Sequence, residues 1–126
     1  MSKNPELLLL QQKVEAAMPY PAEEMDLTFR SMFGGVGAYV RGRFFASISD
    51  VGLALKFSPQ DQDELLKQAP ETKHLQYGPD APISKQYLVV PELILHDATL
   101  LETWLKQSID YVVTLPIKAK KKKTKE

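Results

Sequence analysis

Between Arg30 and Asp50 the chain sets Gly34, Gly35, Gly37 and Gly42 among short alternating runs, and a further run ends in Leu53-Ala-Leu-Lys-Phe57. Glycine recurs where strands turn or where two backbones approach closely. Such a stretch is a compact meander of strands, and everything else must pack around it. Leu27 to Phe33 alternates, with Leu27, Phe29, Ser31 and Phe33 on one side and Thr28, Arg30 and Met32 on the other. Val36–Val40 and Arg43–Ser49 are the next strands, joined by Arg41-Gly42 as a tight turn. Asp50-Val51-Gly52 turns the chain again, and Leu53–Phe57 is the fourth strand. A fifth is expected over Ser84–Val90, closed by Pro91.

Helical signals flank the meander. Asn4-Pro5-Glu6 combines a capping residue, a first-turn proline and an acid at the positive end of the helix dipole. Leu7, Leu10, Val14 and Met18 then recur at helical spacing to about Ala17, before Pro19 and Pro21 end the run. Ser58-Pro59 starts a middle helix over Gln60–Gln68, anchored by Leu65 and Leu66. Ala69 to Pro82, with Pro70, Gly78, Pro79 and Pro82, reads as irregular. Asp97 caps a last helix whose inward stripe is Leu101, Trp104, Leu105, Ser108, Ile109 and Val112, and Pro116 stops it. The expected fold class is α+β: an antiparallel meander sheet of about five strands with N-terminal, middle and C-terminal helices.

The chain has 126 residues, one domain by size, expected over 1–116. Residues 117–126 read as a disordered lysine-rich tail. Net charge is zero, but the last ten residues hold six lysines and one glutamate while the other 116 hold ten bases and fifteen acids. A mildly acidic body thus carries a strongly basic end. There is no cysteine, so disulfides, thiolate metal ligation and a cysteine nucleophile are excluded. The four leucines Leu7–Leu10 are too few for a signal-peptide core, and no run approaches the roughly 18 apolar residues of a membrane span. A cytoplasmic protein without membrane contact is expected.

Pairing through Arg41-Gly42 puts Val36, Ala38, Val40 and Phe45 on one face of the sheet, and Gly37, Tyr39, Phe44, Ala46 and Ile48 on the other. Both faces are then partly apolar, which suits helices on one face and a homodimer contact through part of the other. A slip of one residue inverts the assignment.

No catalytic constellation emerges. Phe33-Gly34-Gly35-Val36-Gly37 lacks the spacing of a nucleotide loop and leads into a strand rather than a helix. His74 reads as a solvated loop residue and His96 as a surface residue before a helix cap, neither at metal-ligand spacing. Ser31, Ser47, Ser49 and Ser84 lie in strand-like runs outside any nucleophile elbow. The acids Glu23-Glu24-Asp26 and Asp61-Asp63-Glu64 read as solvated charge. No catalytic residue, cofactor or metal is therefore expected. The tyrosines Tyr20, Tyr39, Tyr77, Tyr87 and Tyr111 read mostly as core, without a base-stacking platform. Two groups remain as candidate contact residues. Arg30, Arg41 and Arg43 cluster around the hairpin and suit a phosphate or an acidic protein partner, or simply blunt strand edges. Lys118, Lys120, Lys121, Lys122, Lys123 and Lys125 suit nonspecific nucleic-acid contact, or serve only as a solubilising end.

Three segments carry a family resemblance. They are Arg30-x-Met32-Phe33-Gly34-Gly35-x-Gly37-x-Tyr39, then Gly42-x-Phe44-x-Ala46-x-Ile48, then Asp50-x-Gly52-Leu53-x-Leu55-Lys56. With the later Tyr87-x-x-Val90-Pro91-Glu92 and the Asp-started, Trp-containing helix, the stretch from Met18 to Val113 resembles the N-terminal domain of the TfoX (Sxy) competence regulators. Arg41 departs from the acidic or Asn residue more usual at that turn, and Ala54 from a frequent aromatic. The resemblance implies an antiparallel sheet with helices against it. It also implies a role in regulating natural DNA uptake together with a transcription activator, without established catalytic residues. Full-length members often carry a second, helical domain, where this chain has its lysine run. The expected function is a non-enzymatic regulatory or interaction protein that presents its sheet and the arginine region to a protein partner. The alternatives are a nucleic-acid-associated protein using the lysine tail, and a small-ligand binder or enzyme with a pocket between sheet and helices.

Overall fold

A computed structural model describes residues 5–32, 34–76 and 79–116. The expectations placed on Asn4, Phe33, Tyr77, Gly78 and the six tail lysines lie outside the described residues.

The first helix, α1, runs Pro5–Ala16 and turns Leu7 and Val14 fully inward, with Leu10 and Met18 packed against the same core. Pro21 opens a one-turn helix, α2 (Ala22–Met25), that ends on Asp26 in the left-handed region at φ 53°. Its four residues are too few to show helical periodicity. The chain then forms β1 (Thr28–Met32), β2 (Gly35–Val40), β3 (Arg43–Ser49) and β4 (Gly52–Lys56), each antiparallel to the one before. Arg41 and Gly42 both have positive φ, 51° and 78°, as the mirror-image hairpin turns demand.

Ser58 caps α3 (Pro59–Gln68), its hydroxyl accepting from Asp61 N at 3.1 Å, with Pro59 in the first turn. The expected irregular stretch contains a three-residue strand, β5 (Lys73–Leu75), which pairs with β6 (Ser84–Val89). The sheet among the described residues therefore has six strands, in the order β1-β2-β3-β4-β6-β5. A second one-turn helix, α4 (Glu92–Leu95), follows Pro91. Asp97 then caps α5 (Ala98–Val112), accepting from Thr99 N and Leu100 N at 3.1 Å each. The buried residues of α5 are the six expected, from Leu101 to Val112.

The helices cover one side of the sheet. α1 packs on β2, β3 and β4, and α5 on β3 and β4. Leu65 of α3 joins the same cluster as Phe45, Leu55, Phe57, Leu88, Trp104 and Ile109. Phe57 meets Trp104 edge-on, with ring centroids 5.8 Å apart and planes at 84°. A buried Phe of this kind contributes roughly 1.5–3 kcal/mol through burial alone.

Two sequence expectations are corrected here. Ala46 and Ile48 do not share a face with Tyr39 and Phe44. They are fully buried beneath the helices, opposite Ala38 and Val36. The cause is a β-bulge: the pairing shifts between Ala38 and Tyr39, and β3 accommodates Phe45 as an extra residue. Phe45, Ala46 and Ile48 then all point to the core, while Phe44 stays opposite Tyr39 on the far side. His74 is likewise no loop residue. It stands in β5, half-buried, with Nε2 3.1 Å from Oε1 of the buried Gln62, whose Nε2 donates to Phe57 O at 3.0 Å.

Candidate functional site

The far face of the sheet is built from the alternate residues of every strand. Register places Arg30, Gly37, Ser47, Ala54, Val89 and Lys73 in one line across it. Three small residues form the middle of that line, with a cation at each end. Beside it runs a second line, Thr28, Tyr39 and Phe44, continued by Lys56 and Tyr87. No residue of either line belongs to the core cluster beneath the helices, although Gly37, Ser47 and Ala54 are themselves buried. Thr28, Arg30 and Lys73 are exposed, and Tyr39, Phe44, Lys56, Tyr87 and Val89 are half-buried.

The aromatic side chains of the second line touch in series. Tyr39 and Phe44 have ring centroids 5.3 Å apart, and Phe44 and Tyr87 5.7 Å, both pairs tilted. The Arg30 guanidinium carbon lies 5.0 Å from the Tyr39 ring centre, and Lys56 Nζ lies 5.9 Å from that of Tyr87. The result is a run of three rings with a cation over each end, within the range where ring quadrupole and charge attract. These tyrosines were expected in the core. The bulge in β3 is what separates Phe44 from Phe45 and turns one outward and the other inward. No local sequence signal marks it, since Arg43-Phe-Phe-Ala-Ser-Ile-Ser49 alternates poorly on either register.

The charge distribution follows the same division. The six strands contain Arg30, Arg43, Lys56, Lys73 and Lys85 and no Asp or Glu. All the carboxylates of residues 5–116 lie in helices, turns and loops. The body is acidic in sum, yet its acid is kept off the sheet.

The three hairpin arginines have different surroundings. Arg30 lies on the open face over Tyr39. Arg41 donates from Nε to Glu24 O at 3.3 Å, and its backbone N–H to Met25 O at 2.7 Å, tying the turn to α2. Arg43 donates from Nε to Leu115 O at 2.6 Å and from Nη1 to Arg41 O at 2.9 Å, closing the turn against the end of α5. The structure therefore sets one arginine among the rings and gives the other two backbone carbonyls.

A shallow concavity of about 390 Å³ lies between α1, the β3–β4 turn and α4, where Glu6, Lys13, Asp50, Glu92 and His96 line it. His96 Nε2 is 3.0 Å from Glu92 Oε1, with the two side chains 67% and 85% exposed. Nothing around the pair excludes solvent. Among the described residues no three His, Asp or Glu side chains converge to hold a metal ion. No helix among them is long and apolar enough to cross a membrane.

The model of the TfoX N-terminal domain matches residues 22–112. The chain belongs to the TfoX N-terminal domain family. The match begins at α2 and ends with the last residue of α5, so it spans the whole sheet, both lines of its open face and the helix that backs it. No curated protein and no solved structure matches this TfoX N-terminal domain.

Proposed function

We propose that this TfoX N-terminal domain is a regulatory interaction module, which docks other molecules on the open face of its sheet and leaves them chemically unchanged. One observation carries this reading: the face opposite the helices holds three touching rings and their flanking cations, none of them part of the core. Aromatic and arginine side chains at a surface are the residue types that contribute most to docking. Family membership supports a regulatory class. We place the chain in the cytoplasm, in the control of competence genes alongside a transcription activator, as the family resemblance implies. The solvent-exposed His96–Glu92 pair supports a docking role over catalysis, since a general acid or base gains from burial that neither has.

The test is affinity capture with and without nuclease, using the full chain, a Tyr39→Ala/Tyr87→Ala variant of the open face, and a Glu102→Gln control on the exposed side of α5. The partner is expected with wild type and control, and lost from the face variant. Equal recovery by all three, with the face variant folded, refutes the assignment.

A further inference from the structure

We infer that the open face binds single-stranded nucleic acid, with bases stacking on Tyr39, Phe44 and Tyr87 and the phosphate backbone running toward Arg30, Lys56 and Lys73. The inference rests on the docking reading above and names its occupant. Three observations point the same way. First, the strands carry no carboxylate and set Arg30, Lys56 and Lys73 on this face in a body whose net charge is negative, so the face attracts a polyanion that the helix side repels. Second, the rings are consecutive neighbours at 5.3 and 5.7 Å, tilted 57° and 53° to one another, on an antiparallel sheet, and aromatic side chains on a sheet surface are what unpaired bases stack on. Third, the small residues of the adjoining line, Gly37, Ser47 and Ala54, are themselves buried, so what a ligand meets on this face is the cations and rings around them. Arg30 on β1 and Lys73 on β5 end the first line, and Lys56 on β4 stands in the second beside Tyr87.

Duplex fits this arrangement poorly, because its bases are already stacked on one another and present only edges. A second copy of the chain is the competing occupant, since its acidic helix side complements the same cations. The experiment separates them.

Full-length protein is titrated into a labelled single-stranded oligothymidylate about 12 nucleotides long, within the site sizes usual for such surfaces, and into duplex of equal length. Anisotropy reports binding across a salt series. Sedimentation of the protein alone reports self-association. Losing one stacked ring typically costs ~1–3 kcal/mol, so Phe44→Ala and Tyr39→Ala are each expected to weaken the single-strand complex by about 5- to 150-fold. Arg30→Gln, at an exposed position, is expected to reduce the log–log salt slope by about 0.7, one phosphate's worth. Urea midpoints confirm that each variant is folded, and Phe44→Leu keeps apolar volume without the ring if Phe44→Ala unfolds. Folded ring variants that bind within twofold of wild type overturn the inference, because affinity then comes from other charges such as the lysine-rich end. So does the absence of any single-strand binding. Face-dependent self-association without oligonucleotide binding also overturns it, yet leaves the docking role standing. Loss of face-dependence in the capture experiment removes the docking role itself.

Discussion

Replacing Ser108 by alanine should make this protein more stable. Ser108 lies in the middle of α5, fully buried, and its Oγ has no hydrogen-bond partner among the described residues. Leaving a buried hydroxyl unpaired costs about 1–3 kcal/mol. Alanine is also the better helix former, by about 0.5 kcal/mol. Against this stands the void left by one oxygen: roughly 20 Å³ at ~24 cal/mol per Å³ takes back about 0.5 kcal/mol. The net expectation is a gain of about 1–3 kcal/mol, or roughly 3–6 °C in Tm per kcal/mol for a domain of this size. Urea denaturation followed by Trp104 emission measures it cleanly. Trp104 is the single tryptophan, is 4% exposed and sits one turn before Ser108 on the same helix. With a slope of ~2 kcal/mol per molar urea, the midpoint should rise by about 0.5–1.5 M. A lower midpoint for Ser108→Ala would refute the reasoning, because the hydroxyl would then hold a bond that stabilises the core. Thr72 Oγ1 is the other buried hydroxyl without a partner among the described residues, and Thr72→Val offers the same sign in a near-isosteric change.

Gly35→Ala should cost about 1–3 kcal/mol, because the added Cβ would lie 2.5 Å from Ile48 O, a backbone atom that cannot swing aside; an unchanged urea midpoint would show that β2 and β3 are not so close. Arg41→Asn should raise stability by about 0.5 kcal/mol, since Arg41 holds φ 51° where asparagine is at less cost, and a lower Tm would mean that the Nε bond to Glu24 O matters more than the turn. Burial pushes the Asp110 carboxyl up, but hydrogen bonds from Tyr20 and Lys106 and the Lys106 charge outweigh it and carry it below the usual 3.8. A lowered folded-state pKa stabilises above the unfolded value, and that contribution is lost as pH falls through the folded one. A carboxyl NMR titration should therefore find Asp110 below 3.8 in wild type and higher in Tyr20→Phe, whereas equal midpoints would remove Tyr20 from the account.

The elements legible in the sequence are those whose causes lie within a few residues. A proline-started helix, a serine cap at Ser58, an aspartate cap at Asp97 and the six-residue stripe of α5 all depend on neighbours one to four positions apart. Arg41-Gly42 is legible for the same reason, because a two-residue turn is decided by its own two backbone conformations. Against these, the one-turn helices α2 and α4 and the three-residue β5 are too short to show a period, and packing alone holds them.

The face of the sheet belongs to a different order of cause. Side chains alternate along a strand, so one extra residue in β3 reassigns every position beyond it, and Phe45 is that residue only because Ala46 and Ile48 gain a buried place beneath α1 and α5. Tyr39, Phe44 and Tyr87 come from three strands, and only the pairing of β4 with β6 brings the last beside the other two. The chain by itself thus settled the three long helices, the hairpin turns and the family. Which rings and charges meet on the open face was settled by long-range pairing, because burial energy accumulates over the whole sheet and outweighs the local preference of any single strand.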